Sequence, residues 1–142
     1  MDRDGVFDPE TIDEAAAAYE TVGPAAQVAI KEAAKAMGFD ADEYGRRVTG
    51  AVIETARDAL FASLLVVYTG SRAEFESWCE DAPGYDRSIV GSESVPNVAW
   101  HPVPFEETVY AATYRNEPEA AAATLRRRVF GEVYRTRLEP RR

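Results

Sequence analysis

Leu60 to Tyr68 is the longest apolar stretch of the chain, broken only by the small Ser63. Crossing a bilayer as a helix takes about 20 residues, so this run is too short to span one and has to be buried inside the protein. Thr49 stands where an N-cap belongs, and the pattern after it predicts one helix running to about Tyr68. Glu54, Arg57 and Asp58 line one flank of its first half, whereas from Leu60 onward Phe61, Leu64, Leu65, Val66 and Val67 make it apolar on every side. A helix without a polar face is a buried one. The helix from Ala51 to Tyr68 is therefore expected at the centre of the core.

The segments before it also read as helices. Asp8 and Pro9 suit the N-cap and first position of a helix, with Phe7 and Ile12 spaced as a hydrophobic staple. Ile12, Ala15, Ala16, Tyr19 and Val22 then fall on one side at helical period. Gly23 closes that helix and Pro24 opens the next, in which Ala26, Ala29, Ile30, Ala33 and Met37 share a face opposite Gln27, Lys31 and Lys35. Gly38 stops it. Asp40 with Glu43, and Ser71 with Glu74, have the spacing of capping boxes. The first predicts a short helix ending near Val48, the second a helix through Phe75 and Trp78 to about Glu80.

Character changes at Asp81-Ala82-Pro83-Gly84, a cluster of turn formers. Three strands are predicted after it, over Tyr85 to Val90, Val98 to Val103 and Thr108 to Tyr114, with connections of hairpin length. Pro102 and Pro104 remove ladder donors, so the second strand should end there or lie at an edge. Asn116 and Glu119 repeat the capping-box spacing and predict a final helix to about Leu138. The fold class is α+β: a helical N-terminal half of about five helices, then a small three-stranded antiparallel sheet and a long C-terminal helix. Residues 1–142 form one globular domain, and order is not required of the last few residues.

Charge bears on the solvent before it bears on function. The chain has 25 acidic residues against 16 basic ones, of which only Lys31 and Lys35 are lysine, and a net charge of -9. Such a charge repels itself in dilute buffer, and the screening length falls to about 3 Å in 1 M salt. The composition therefore reads as a protein built for concentrated salt. Carboxylates are then expected all over the surface and identify no site.

Phosphate-loop, dinucleotide, nucleophile-elbow and calcium-loop signatures are all missing. No cofactor is implied. Cys79 is the only cysteine and His101 the only histidine, so no zinc set of the usual kind can be built within one chain. A lone cysteine also excludes an intrachain disulfide, which suits a reducing interior. With no apolar run behind Met1, a cytoplasmic location is expected. No catalytic residue can be named, and the reading leans away from an enzyme. His101 reads first as a half-exposed strand-end histidine, with Trp100 and Val98 facing the core on the other side. Cys79 reads as a small buried apolar residue.

Arg126 is the one local conflict, because it falls near the middle of the apolar arc formed by Ala122, Leu125, Val129, Phe130 and Val133. A guanidinium there must snorkel or meet a partner, and Glu54, Asp58 and Glu93 are the candidates. Seven arginines make the last 26 residues net +3, yet Arg126, Arg127 and Arg128 splay around the helix, and phosphate contacts lose much of their free energy in strong salt.

The stretches Val22 to Tyr44, Glu54 to Leu65, Gly91 to Phe105 (GSESVPNVAWHPVPF) and Thr124 to Tyr134 (TLRRRVFGEVY) resemble a family of small uncharacterised proteins from halophilic archaea. The resemblance implies a source and transfers no catalytic or binding residue. The leading expectation is a non-catalytic cytoplasmic binding or assembly protein, with a homo-oligomer or another protein as partner and no membrane. The competing class is a small enzyme or ligand-binding domain whose pocket is lined by His101, Arg126, Trp100 and Tyr110. A nucleic-acid accessory role for the basic C-terminal helix comes last. The melting temperature is expected to rise from dilute buffer to multimolar KCl, and a flat or falling series would refute salt adaptation.

Overall fold

The computed structural model describes residues 1–141; Arg142, within the tail whose order was left open, lies outside them. An N-terminal strap carries β1 (Asp2–Asp4) and leads into α1 (Ile12–Thr21), α2 (Gly23–Ala36), α3 (Ala41–Arg47) and α4 (Gly50–Ser63). β2 (Val67–Ser71), α5 (Arg72–Asp81), β3 (Asp86–Val90), β4 (Asn97–Val103) and β5 (Thr108–Tyr114) follow. The chain ends in α6 (Pro118–Val129), a π-helical turn (Phe130–Tyr134) and α7 (Arg135–Leu138).

The fold is α+β, with helices on both faces of one five-stranded mixed sheet of order β1-β2-β4-β5-β3. The three predicted strands appear at almost the predicted positions, but the sheet is neither three-stranded nor wholly antiparallel. β4 and β5 form the expected hairpin, turned by Pro104–Glu106 and by Glu107 at φ 50°. β3, by contrast, lies parallel to β5, with Ser88 opposite Tyr110. Alternation along a strand reports which face each residue shows, and says nothing about which neighbour supplies the hydrogen bonds. Pairing of β4 with β2 stops at Tyr68 opposite Trp100, so Pro102 falls where β4 is flanked by β5 alone. β4 ends at Val103, just before Pro104, as the missing donors require.

The second correction concerns the Leu60 to Tyr68 run. α4 stops at Ser63, and Val67 begins a strand. A short apolar run fits a buried helix and a strand buried on both faces equally well by pattern, and the β-branched Val66 and Val67 favour the strand. Of α4 only Phe61 and Ala62 are buried, while Leu65, Val66 and Val67 are sealed. The core therefore centres on the sheet and not on a helix.

On one face α1, α4, α6 and α7 enclose Ala15, Tyr19, Leu65, Val103, Leu125 and Leu138 around Phe61. Phe7, Tyr19, Phe130 and Tyr134 all lie within 6.0 Å of the Phe61 ring, centroid to centroid; each such pair adds about 0.5–1.5 kcal/mol beyond area burial. On the other face α5 covers a smaller cluster of Phe75, Cys79, Val98, Trp100, Val109 and Ala111.

Helix starts follow local chemistry. Asp40 accepts from the Glu43 amide at 2.8 Å and Thr49 from the Val52 amide at 3.3 Å. Ser71 and Glu74 make the full reciprocal box. α1, however, starts three residues later than Asp8 and Pro9 indicated, because Thr11 caps it through the Glu14 amide at 3.1 Å. Asp8 and Pro9 belong to the strap, which runs beside Leu64–Val66. α6 starts at Pro118 with no side-chain cap, so Asn116 does not serve as one.

Gly5 is where the strap comes closest to the body. Its φ of +122° suits glycine, and a Cβ there would meet the Leu65 carbonyl oxygen at 2.6 Å and the Val66 Cα at 2.7 Å. Gly5→Ala should therefore lower the unfolding free energy by about 2–4 kcal/mol, combining backbone strain with overpacking. Denaturant unfolding in high salt measures it, and a change within experimental error would show that the strap is not tightly docked.

Candidate functional site

A chain that leaves a helix and enters a strand inside the core exposes backbone groups that neither element satisfies. The tripeptide Leu64–Val66 does this, with Leu65 and Val66 fully buried. The sequence-predicted residues His101 and Arg126 are found here. The Leu64 carbonyl accepts from the Val6 and Phe7 amides at 2.7 and 2.8 Å, and the Val66 amide donates to the Phe7 carbonyl at 2.8 Å. Arg126 Nε donates to the Leu65 carbonyl at 2.7 Å. His101 Nδ1 lies 2.6 Å from the Val66 carbonyl, and its Nε2 lies 2.7 Å from the Tyr134 hydroxyl.

A carbonyl can only accept, which fixes one proton of His101 on Nδ1, and burial, which disfavours a second proton and its charge, leaves Nε2 to accept from Tyr134. His101 is thus neutral and satisfied at both nitrogens. It is 1% exposed, which corrects the expectation of a half-exposed strand end. Burial drives its pKa below the ordinary 6.5 and raises that of Tyr134, since both lose solvation on charging.

The Arg126 conflict resolves differently from the expected pairing. Its carboxylate partner is Asp4 at 3.2 Å, not Glu54, Asp58 or Glu93, and it also donates to the Asp4 carbonyl at 3.0 Å. Asp58 instead accepts from the Tyr19 hydroxyl at 2.6 Å. Because the Asp4 side chain is 85% exposed, that ion pair is worth little. The bond to the buried Leu65 carbonyl matters more.

The remaining candidates lie apart. Trp100 faces the α5 side of the sheet, stacked on Tyr68 and tilted against Phe75, and its indole N–H has no partner among the described residues. Tyr110 faces the α6 side, where its hydroxyl donates to Glu106 at 3.2 Å and Arg128 lies over its ring. Arg126 borders a surface cavity of about 260 Å³ with Ala59, Ala62, Ser63, Ala123 and Arg127. His101, Trp100 and Tyr110 do not line it.

Two of the three consecutive arginines turn inward. Besides Arg126 on Leu65, Arg128 reaches the Ser88 hydroxyl at 2.6 Å and the Ser88 and Ala111 carbonyls at 3.3 and 3.4 Å, tying α6 to β3 and β5. Cys79, on the sheet-facing side of α5, is buried and its thiol pKa is raised by desolvation. Among the described residues no group of three or more His, Cys, Asp and Glu side chains is placed to hold a metal ion, and no helix is long and apolar enough to cross a membrane.

Tyr134 is the residue that sequence reasoning missed. At 100° per residue it falls roughly 180° from Leu125, outside the apolar arc. The π-helical turn Phe130–Tyr134 inserts one extra residue, which swings Tyr134 back by roughly 100° onto His101. Gly131 within that turn was the only available hint.

Fold and site together define a small α+β protein in which the buried His101 and the engaged Arg126 hold a helix-to-strand junction. The chain belongs to a family of unknown function, DUF5809, whose model matches residues 6–135. No curated protein and no solved structure matches it.

The junction reading predicts that Arg126→Met, which keeps the apolar stem but leaves the Leu65 carbonyl bare, destabilises by about 1–3 kcal/mol. Arg126→Lys should recover part of this. Denaturant titrations in high salt would test both, and equal stability of all three proteins would show that the bond is dispensable.

Proposed function

We propose that this is a salt-adapted cytoplasmic protein of halophilic archaea with a non-catalytic binding or assembly role, acting through the faces of its early helices. The observation that carries the reading is that the side chains fit for chemistry are buried or engaged in the body, whereas the helices of an arm bury little of their own surface. In the body, His101, Tyr134 and Cys79 are buried and Arg126 is engaged. The arm is α2, α3 and the first half of α4, with α2 packed on α4. α2 buries only Ala26 and Ala34, and α3 buries nothing.

Val28, Met37 and Val52 are exposed on the arm, at 59%, 68% and 38%. Charge points the same way. Residues 23–56 carry Lys31, Lys35, Arg46 and Arg47 against Glu32, Asp40, Asp42, Glu43 and Glu54, a net of -1, so -8 of the chain's -9 lies elsewhere. Two acidic molecules approaching arm to arm meet the least repulsion.

Sedimentation velocity in multimolar KCl should show concentration-dependent association of the wild type. The double variant Val28→Glu, Met37→Glu should remain monomeric with an unchanged melting temperature. A strictly monomeric wild type that also retains no partner in a pull-down would overturn the reading.

A further inference from the structure

We propose that His101 is an acid-operated latch that holds the N-terminal strap, residues 1–11, on the body and releases it when the imidazole takes a second proton. The geometry supplies the mechanism. Nδ1 already carries a hydrogen, donated to the Val66 carbonyl, so a second proton can enter only at Nε2, where the Tyr134 hydroxyl now donates. Two hydrogens would then face each other, and the hydroxyl would have to turn its own away from the bond it now makes, while the Tyr134 ring is held in place by Phe61 and Phe105.

The charges around the ring offer little compensation. Arg126, from α6, opposes a positive imidazole, whereas Asp8, from the strap, favours it. From β5 and the turn before it, Tyr110 and Glu106 are occupied with each other, and Glu106 also takes Arg137. Tyr134, from the π turn, is neutral. A buried imidazolium in this setting needs water, and the structure must open somewhere to admit it.

The strap is the piece placed to open. It lies across the same tripeptide that His101 holds: Phe7 pairs with Leu65 in an isolated bridge, and the Val66 amide donates to the Phe7 carbonyl while the Val66 carbonyl accepts from His101. β1 adds three residue pairs with β2 and is exposed throughout, and its other ties are the surface pairs of Asp4 with Arg126 and of the Met1 amino group with Glu74. Opening it uncovers the Leu64–Val66 backbone without dismantling α6 or the β4–β5 hairpin. The sign follows from the depressed basicity of the buried ring. Closure is complete above pH about 6.5 and weakens as pH falls below it, by up to about tenfold in the closed-to-open ratio per pH unit.

The test is amide hydrogen exchange in multimolar KCl from pH 7.5 to 4.5, corrected for the intrinsic exchange rate. The latch requires the Val6, Phe7 and Val66 amides to lose protection below about pH 6.5, up to tenfold per unit, while Val98 and Ala111 keep theirs. It further requires the His101 ring resonances to report charging over the same range. His101→Gln, which cannot titrate, should abolish the acid step, and Tyr134→Phe, which removes the donor to Nε2, should move it to higher pH. The same acid step in His101→Gln would assign the opening to another group and overturn the proposal. So would simultaneous loss of protection in strap and hairpin, which is global unfolding.

Discussion

A buried change of secondary structure is the constraint on which the rest of this molecule depends. Between Ser63 and Val67 the backbone leaves its helix and has not yet begun bonding as a strand, and it completes the change at the fully buried Leu65 and Val66. Each carbonyl of that tripeptide needs a donor from elsewhere, because an orphaned buried group costs about 1–3 kcal/mol. Three distant parts of the chain supply the donors: the strap at Val6 and Phe7, α6 through Arg126, and β4 through His101. The features that looked like chemistry in isolation, a single histidine and an arginine on an apolar face, are the two side-chain donors of this arrangement.

The same constraint explains the π turn. A regular helix from Pro118 to Leu138 would carry Tyr134 away from the sheet, leaving Nε2 of a buried imidazole with no partner. The inserted residue costs some helical regularity and gains a buried hydroxyl-to-imidazole bond together with ring contacts to Phe61 and Phe105. It lies at the point where the final helix has to serve both a hydrophobic face and a polar partner. Around that tightly determined body the arm is loosely determined, and its Ala-rich helices bury little of their own surface.

Legibility followed locality. The caps at Asp40, Thr49 and Ser71 were readable because a side chain bonds an amide three residues on, and the strand ranges because two-residue alternation is a property of the strand itself. Asp8 and Asn116 misled for a related reason: several polar residues stand near each helix start, and Thr11 took the cap of α1 whereas α6 begins at Pro118 with no side-chain cap at all. The parallel placement of β3 beside β5 could not be read, since nothing in Tyr85 to Val90 encodes which edge it will join. The partners of Arg126 were unreadable as well, because Asp4 and Leu65 lie 122 and 61 positions away.

By itself the sequence determined an α+β chain, its helix starts in the middle third, its late strands and a net charge of -9, all of which rest on short-range hydrogen bonding, periodicity or composition. Only the tertiary structure decided that the Leu60 to Tyr68 run breaks into a helix end and a strand, and that His101 is sealed and neutral. The physical reason is that burial and hydrogen-bond satisfaction are properties of a place in space. A buried carbonyl accepts whichever donor the packing brings to it, however far along the chain that donor was made.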